Sequence, residues 1–590
     1  MRERQVKSPK GTAGDRAQVE TWLAAFNAAL QRHDEVAAAK LFLDDGYWRD
    51  VLAYQWDLRS LSDPTNFIPR LFAEGHERGV RDFAIDERYT EPAQQSRSGR
   101  NVIEAILKFS THLGPGNGVL RLQEVPAGSG QWRAWGLMTS LQELSSHPER
   151  AKDRRPERVA LRKPGENWAD QLRQNAEFKD EEPEVLVVGA GHSGLMIAAR
   201  LRAMGVRVLT IDALPRIGDV WRNRYHTLQL HNEIHSIDFP YIRYPETWPV
   251  FVPKDMYADW IEFYARAMEL AVWTSTRFEG AERNKAGDGW TARLRMADGS
   301  ERVVRPKHVV MATGGVSGRK AYPKLPGLDS FAGTVAHSAD VRPNDSFSGK
   351  KAIVVGTSTS GHDIARELTE RGCRVTMVQR SPTVVVNIDP ANMIYSLYDE
   401  GRSIDEVDVV SIANNFDATI QSFRLFTNMV EEMDRETLDA LHKIGFKTDR
   451  GYLDGGFFAN YLHRGGGYYL NVGATDMLIK GQIGLVQNDD VQHYEAQGAR
   501  MTDGSLLEAD IIVLATGYMN QEVDIHDYFG QDVAARVGKI WGWDEGGELR
   551  RAWRPTGQDG LWLQLGGVPQ CRTYSKFLAL QIVAELRGIK

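Results

Sequence analysis

Cysteine is nearly absent from this 590-residue chain, which holds only Cys373 and Cys571. That excludes a disulfide framework, a Cys-x-x-Cys redox motif and a Cys/His zinc cluster, and it fits a reducing, cytoplasmic setting. Long apolar runs are missing too: none approaches the ~20 residues of a membrane span. Residues 1–16 are polar and basic with no apolar core, so they are not a secretory signal. An excess of positive charge is also lacking. Lys plus Arg total 72 against 79 for Asp plus Glu, a net charge of -7, which gives no pull toward nucleic acid or anionic membrane. At roughly 100–200 residues per domain, the length allows several domains.

What is present is dominated by two glycine-rich turns. The first reads Gly189-Ala190-Gly191-His192-Ser193-Gly194 and the second Gly356-Thr357-Ser358-Thr359-Ser360-Gly361. Around the first, residues 185–188 read as a buried strand, 192–204 as a helix ended by Gly205, and 207–211 as a second strand closed by Asp212. In such a unit Gly189 permits the tight turn and Gly191 lets the backbone approach a pyrophosphate. Gly194 allows close helix–strand packing, while the helix start at His192 and Ser193 offers amide donors to phosphate. A carboxylate at Asp212 accepts hydrogen bonds from ribose hydroxyls.

The second turn repeats the pattern, with a strand at 351–355, a helix at 360–371 and a strand at 374–378. Ser358 takes the place of the middle glycine, and Thr359 and Ser360 complete the turn before Gly361. The closing strand ends in Gln379-Arg380-Ser381, without an acid. A carboxylate there would repel a 2′-phosphate, whereas the Arg380 guanidinium can hold one through paired charge-assisted bonds. NADPH is therefore preferred over NADH. Two such units in one chain suggest two dinucleotides held face to face, as when a nicotinamide reduces a flavin.

The expected fold class is α/β, with two Rossmann-like dinucleotide-binding domains and an N-terminal α+β domain. The boundaries read as a flexible N-terminus over 1–17, the α+β domain over 18–146 and a charged linker over 147–183. The FAD-binding domain follows over 184–345, then the NADPH-binding domain over 346–480 with an aromatic-rich insertion at about 385–470 that supplies pocket residues. The FAD-binding domain resumes over 481–590. In the N-terminal domain, residues 19–32 form an amphipathic helix carrying Trp22, Phe26 and Leu30, and 36–42 a second helix. Residues 118–126 and 131–144 form strands around Ala127-Gly128-Ser129-Gly130. The stretch Trp48-Arg49-Asp50 to Trp56-Asp57, with Trp132-Arg133-Ala134-Trp135, resembles the cone-shaped NTF2/SnoaL-like domain. It reads as a packing or oligomerisation module, and a homo-oligomer is compatible with it.

Further motifs carry a family resemblance. Gly218-Asp219-Val220-Trp221 with Tyr225 resembles the loop after the first FAD unit of flavin-dependent monooxygenases, which assigns the first turn, with Trp221, to FAD. Segments 309–314, ending in Thr313, and 511–518 resemble the Ala-Thr-Gly strands that return the chain to the cofactor in such flavoproteins. Phe331-Ala332-Gly333-Thr334-Val335-Ala336-His337 matches the FxGxxxH signature of flavin-containing and Baeyer–Villiger monooxygenases. Residues 183–590 thus resemble the NADPH-dependent class B flavoprotein monooxygenases, and the N-terminal module resembles their extended type II members. Val341 departs from the Trp of Baeyer–Villiger enzymes, and Ser338 leans toward flavin-containing monooxygenases. Tyr225 to His231, with Tyr244-Pro245-Glu246-Thr247-Trp248-Pro249, resembles plant arylpyruvate (YUCCA-type) enzymes.

The resemblance implies insertion of one oxygen atom of O2, through a C4a-(hydro)peroxyflavin, into a small organic substrate. That is a ketone in Baeyer–Villiger oxidation, or N or S; the alternative is oxidative decarboxylation of an arylpyruvate such as indole-3-pyruvate. It implies His231 and Asn232 near flavin C4a, and His337 orienting the nicotinamide or coupling domain movement. It also implies the terminal helix, with Tyr574, at the flavin pyrimidine edge. A disulfide-type reductase would need a redox cysteine pair, and a non-catalytic nucleotide binder would not need the intact glycines, Asp212 and Arg380. Arg380→Ala is expected to abolish the preference for NADPH; an unchanged ratio of NADPH to NADH KM rejects this role.

Overall fold

A computed structural model describes residues 10–158, 164–314, 318–342 and 346–590. Residues 1–9 of the expected tail and 159–163 of the expected linker lie outside the described residues. The tail ends sooner than the sequence suggests, because a capping box starts the first helix, Ala13–Arg32. Thr12 Oγ1 accepts from Asp15 N, and the Asp15 carboxylate accepts from Thr12 N, so two otherwise orphaned donors are satisfied. The helix buries Val19, Trp22, Leu23, Phe26 and Ala29.

The expected helix over 36–42 is confined to Glu35–Ala39. Phe42 instead opens a strand, Phe42–Val51, because its ring packs edge-on against Phe26 and Phe67. That strand lies in a seven-stranded sheet. It pairs in parallel with Trp132–Leu141, which pairs antiparallel with Pro115–Glu124. The linker also carries structure: Trp168–Glu177 is a helix, docked where Trp273 Nε1 donates to Ala176 O at 2.7 Å.

Two parallel five-stranded sheets follow. The first runs Ala271–Trp273, Val208–Ile211, Val185–Val188, His308–Met311 and Leu561–Leu563. The second runs Thr334–His337, Ile511–Leu514, Lys351–Val355, Arg374–Gln379 and Ile483–Gln487. This pairing moves the expected boundaries at 345/346 and 480/481. Strands 334–337, 483–487 and 511–514 belong to the second sheet, and the chain returns to the first only at Leu561. Short strands of a parallel sheet look alike in sequence, so only pairing decides which sheet each completes. The C-terminal helix, Val568–Arg587, packs on the helix that follows the first glycine turn. No helix among the described residues is long and apolar enough to cross a membrane.

Buried charge joins the N-terminal unit to the rest. Arg49 donates from Nε and Nη2 to the Glu548 carboxylate at 2.9 and 2.7 Å, from Nη1 to Ile412 O at 2.6 Å, and from Nη2 to Tyr574 OH at 3.1 Å. The Arg49 and Glu548 side chains are 9% and 6% exposed. Burial opposes the charge on Arg49, but Glu548 outweighs it and the pKa lies above the ordinary value. Arg554 grips Asp57 through two further bonds of 2.7 Å. Arg49→Met strands a buried carboxylate and is expected to lower stability by about 3–5 kcal/mol in urea denaturation, with partial recovery on adding Glu548→Gln. A loss below about 1 kcal/mol, the value of an exposed pair, would show that docking does not rest on this contact.

Candidate active site

The two glycine turns are built alike. Gly189 and Gly356 have φ of +108° and +116°, where a side chain is strained. A Cβ on either would stand 2.5 Å from the carbonyl oxygen of Ala312 or Ala515, respectively. Each Ala-Thr-Gly segment therefore closes on its own turn, so the one ending at Gly517 serves the second turn and not the first. At Gly194 and Gly361 a Cβ would sit 1.9 and 2.1 Å from the oxygen of Gly189 and Gly356.

Gly191 and Ser358 both head their helices in extended backbone, at φ, ψ of −77°, −177° and −84°, −176°. Any residue adopts that conformation, which is why serine can replace glycine there. Neither helix, His192–Ala203 or Thr359–Glu370, has a side-chain N-cap, so the first amides are left for a ligand. Nothing lies within 4 Å of where a Cβ on Gly191 would be, which leaves room for a phosphate to approach the backbone.

The surroundings of the first turn suit a dinucleotide. Asp212 accepts from Ala190 N and Leu214 N at 2.8 Å each, which fixes its carboxylate at the end of the strand Val208–Ile211. Burial raises its pKa. Ser193 is buried, its Oγ 3.5 Å from Ala312 O. His192 Nε2 lies 3.1 Å from Gly566 O, and burial lowers the pKa of the ring. Trp221 meets Tyr257 edge-on at 5.0 Å, and Thr313 stands beside Asp524.

At the second turn, Ser358 Oγ and Thr359 Oγ1 donate to Tyr468 O at 2.9 and 3.1 Å, so the insertion strand Tyr468–Asn471 lies against the turn. Ser360 follows in the first turn of the helix. Arg380 is exposed just past the strand Arg374–Gln379 and makes no bond to another described residue.

His231 and Asn232 lie where the two nucleotide units meet. His231 Nε2 is 3.6 Å from Asp363 of the second nucleotide helix, and Tyr225 OH donates to the same carboxylate. Glu367, one turn on, accepts from His226 N, Thr227 N and Thr227 Oγ1. Asn392 Nδ2 donates to His231 O, and Asn232 Nδ2 to Tyr395 OH at 2.6 Å. His337 is held by backbone. Its Nε2 donates to Gly517 O at 2.8 Å and its Nδ1 accepts from Ala339 N at 3.1 Å. Both ring nitrogens are thus engaged by backbone, and burial lowers the pKa, so the ring holds the turn at Gly517 rather than offering a proton.

A cavity of about 420 Å³ adjoins this junction. Tyr395, Phe423, Phe426 and Phe458 of the insertion form one wall, and Trp553, Gln570, Thr573 and Tyr574 another. Arg49, Ser96, Ser98 and Arg121 close it from the N-terminal unit. Tyr395 links the cavity to Asn232. The turn before Gln570 links it to the first glycine turn, through His192 and Gly566. Tyr574 lines this cavity: it stacks on Trp553 at 4.4 Å and its hydroxyl accepts from Arg49.

Residues 184–458 match the family described as pyridine nucleotide-disulphide oxidoreductase. The thiols do not suit disulphide chemistry. Cys571 bonds Leu565 O at 3.1 Å inside the C-terminal segment, Cys373 lies buried in the second unit, and burial raises both pKa values. Indole-3-pyruvate monooxygenase YUCCA1 of Oryza sativa subsp. japonica is 31% identical over 341 residues, covering 57% of this chain and 77% of its own. The chain belongs to the flavin-dependent monooxygenases. FAD and NADPH are the cofactors of this monooxygenase. Probable indole-3-pyruvate monooxygenase YUCCA4 of Arabidopsis thaliana is 26% identical over 344 residues, covering 58% of this chain and 77% of its own. The monooxygenase shares its fold with epsilon-caprolactone-bound cyclohexanone monooxygenase, at a TM-score of 0.52 and 18% identity over 69% of this chain and 88% of that one. It also shares it with OTEMO in complex with FAD and NADP, at 0.50 and 19% over 69% and 86%.

Sequence reasoning missed what the N-terminal unit brings to the cavity. The one available signal was Arg49 and Asp50 inside the strand Phe42–Val51, both buried. The open space at Gly191 yields a sharp test. Gly191→Ala of the monooxygenase is expected to keep its thermal midpoint while bound FAD falls about tenfold, a cost of roughly 1.4 kcal/mol. Full yellow flavin content in that variant would remove Gly191 from the pyrophosphate site.

Proposed function

We propose that this monooxygenase oxygenates an uncharged small molecule in the 420 Å³ cavity, a ketone by Baeyer–Villiger oxidation or a neutral compound at N or S. One observation carries this reading: every guanidinium lining the cavity already has a carboxylate. Arg49 pairs with Glu548, Arg97 with Glu104 and Glu400, and Arg121 with Glu104. A carboxylate substrate would meet no uncompensated cation there, and would lose its hydration without replacement. Decarboxylation of an arylpyruvate is the second reading, favoured by the 31% identity to an indole-3-pyruvate monooxygenase.

In this reading Gly189, Gly191, His192, Ser193 and Gly194, with Asp212, Trp221 and Thr313, hold FAD. Gly356, Ser358, Thr359, Ser360, Gly361 and Arg380 hold NADPH in preference to NADH. Bound together, the cofactors supply hydride transfer and the activation of O2. The protein's part is placement. The Asn232 amide, steadied by Tyr395, and the His231 imidazole, beside Asp363, face the junction where substrate and cofactors meet. The aromatic walls exclude water there. His337 acts on the turn at Gly517, whose next residue, Tyr518, accepts from Arg224 of the first unit. The unpaired thiols support a reducing, cytoplasmic setting. Mass spectrometry of products from a ketone, a sulfide and an arylpyruvate tests the reading. Oxygenated ketone or sulfide is expected; turnover of the arylpyruvate alone would overturn it.

A further inference from the structure

The cavity has two unlike ends. Its aromatic end, at Tyr395 and Phe458, lies beside Asn232. Its other end is made where the N-terminal unit meets the insertion, and there the polar groups are arranged unequally. Arg121, in the strand Pro115–Glu124, has a side chain only 3% exposed. Its Nε donates to Glu104 at 3.0 Å, and its Nη1 to Tyr47 OH and to Asn414 Oδ1. Glu104 neutralises the guanidinium, and the Asn414 carbonyl is consumed by it. Two donors that line the cavity, Arg121 Nη2 and Asn414 Nδ2, are bonded to no other described residue, and the hydroxyl of Ser96, an exposed residue in the same lining, can donate as well. These donors come from distant parts of the chain and meet only because the N-terminal unit docks.

We propose that Arg121, Asn414 and Ser96 form a specificity subsite for an uncharged hydrogen-bond acceptor, such as a carbonyl oxygen, at the end of the substrate remote from the oxygenated atom. The class of substrate is then an elongated neutral molecule, apolar beside the flavin and carrying an acceptor oxygen at its far end. This rests on the cavity being the substrate site. An ion would gain little, since the local charge is already balanced. A purely apolar tail would displace water from these donors without replacing its hydrogen bonds, which discriminates against a ligand that lacks the acceptor.

The test uses two ketones of nearly the same shape, 4-(4-acetylphenyl)butan-2-one and 4-(4-isopropylphenyl)butan-2-one, titrated calorimetrically into the flavin-loaded full chain. The acetyl compound is expected to bind the parent protein about tenfold more tightly, the worth of one or two hydrogen bonds. That preference is expected to fall to near unity in Asn414→Leu and to shrink in Ser96→Ala, while the isopropyl compound's affinity changes little. Ser96→Ala removes a single oxygen, so it keeps the test usable should Asn414→Leu fold poorly. A parent protein that binds both ketones without preference would overturn the subsite alone, as would a preference that survives both substitutions. A parent protein that binds neither ketone would overturn the substrate cavity itself.

Discussion

Glu104 holds this molecule together at its most expensive point. Its carboxylate, 1% exposed, accepts from Arg97, Arg121 and Arg402 at 2.8–3.0 Å. A buried carboxylate costs several kcal/mol in lost hydration, and only well-placed opposite charges offset that cost. Here they do: burial pushes the Glu104 pKa up, and the three guanidinium groups override it and hold the carboxyl well below the usual range. Two of the three arginines belong to the N-terminal unit and the third to the insertion. Separation of the two would strand charge on both sides. The pair Arg49–Glu548 repeats the arrangement against the C-terminal segment, so three distant stretches of chain close one cavity.

The nucleotide half depends on a different constraint, which is steric. The paired positions Gly189 and Gly356, and Gly194 and Gly361, all lie where a Cβ would meet a backbone carbonyl within 2.5 Å. The same close packing brings each helix N-terminus to the end of its sheet, with amides that no side chain caps. Two copies of this geometry face one another across the segment 225–233. That segment is held from the second unit by Asp363 and Glu367, and from the insertion by Asn392 and Tyr395. His231 and Asn232 thus sit in a strip of chain held by the second unit and by the insertion.

The two turns were legible because their chemistry is local. Gly189, Gly191, Gly194 and Asp212 fall within one βαβ unit, and chain geometry alone fixes their relation. The exchange of Gly191 for Ser358 was tolerable for a local reason too, since that position is extended. Where partners are distant in sequence, the residues said less. The signature at His337 does not show that Gly517 O and Ala339 N engage both its nitrogens. Nothing in the sequence shows that Tyr574 stacks on Trp553 and accepts from Arg49. The strands 334–337, 483–487 and 511–514 carry no mark of which sheet they complete.

The sequence by itself determined the two strand–turn–helix units and the class of chemistry, because the glycine turns are contiguous and their glycines answer to short-range sterics. Only the tertiary structure decided what lines the cavity. The cavity wall draws Arg49 and Arg121, Asn414, Tyr395 and Tyr574 from three separate parts of the chain. Their charges are tolerable in the interior only as a joined set, and no segment carries that set alone.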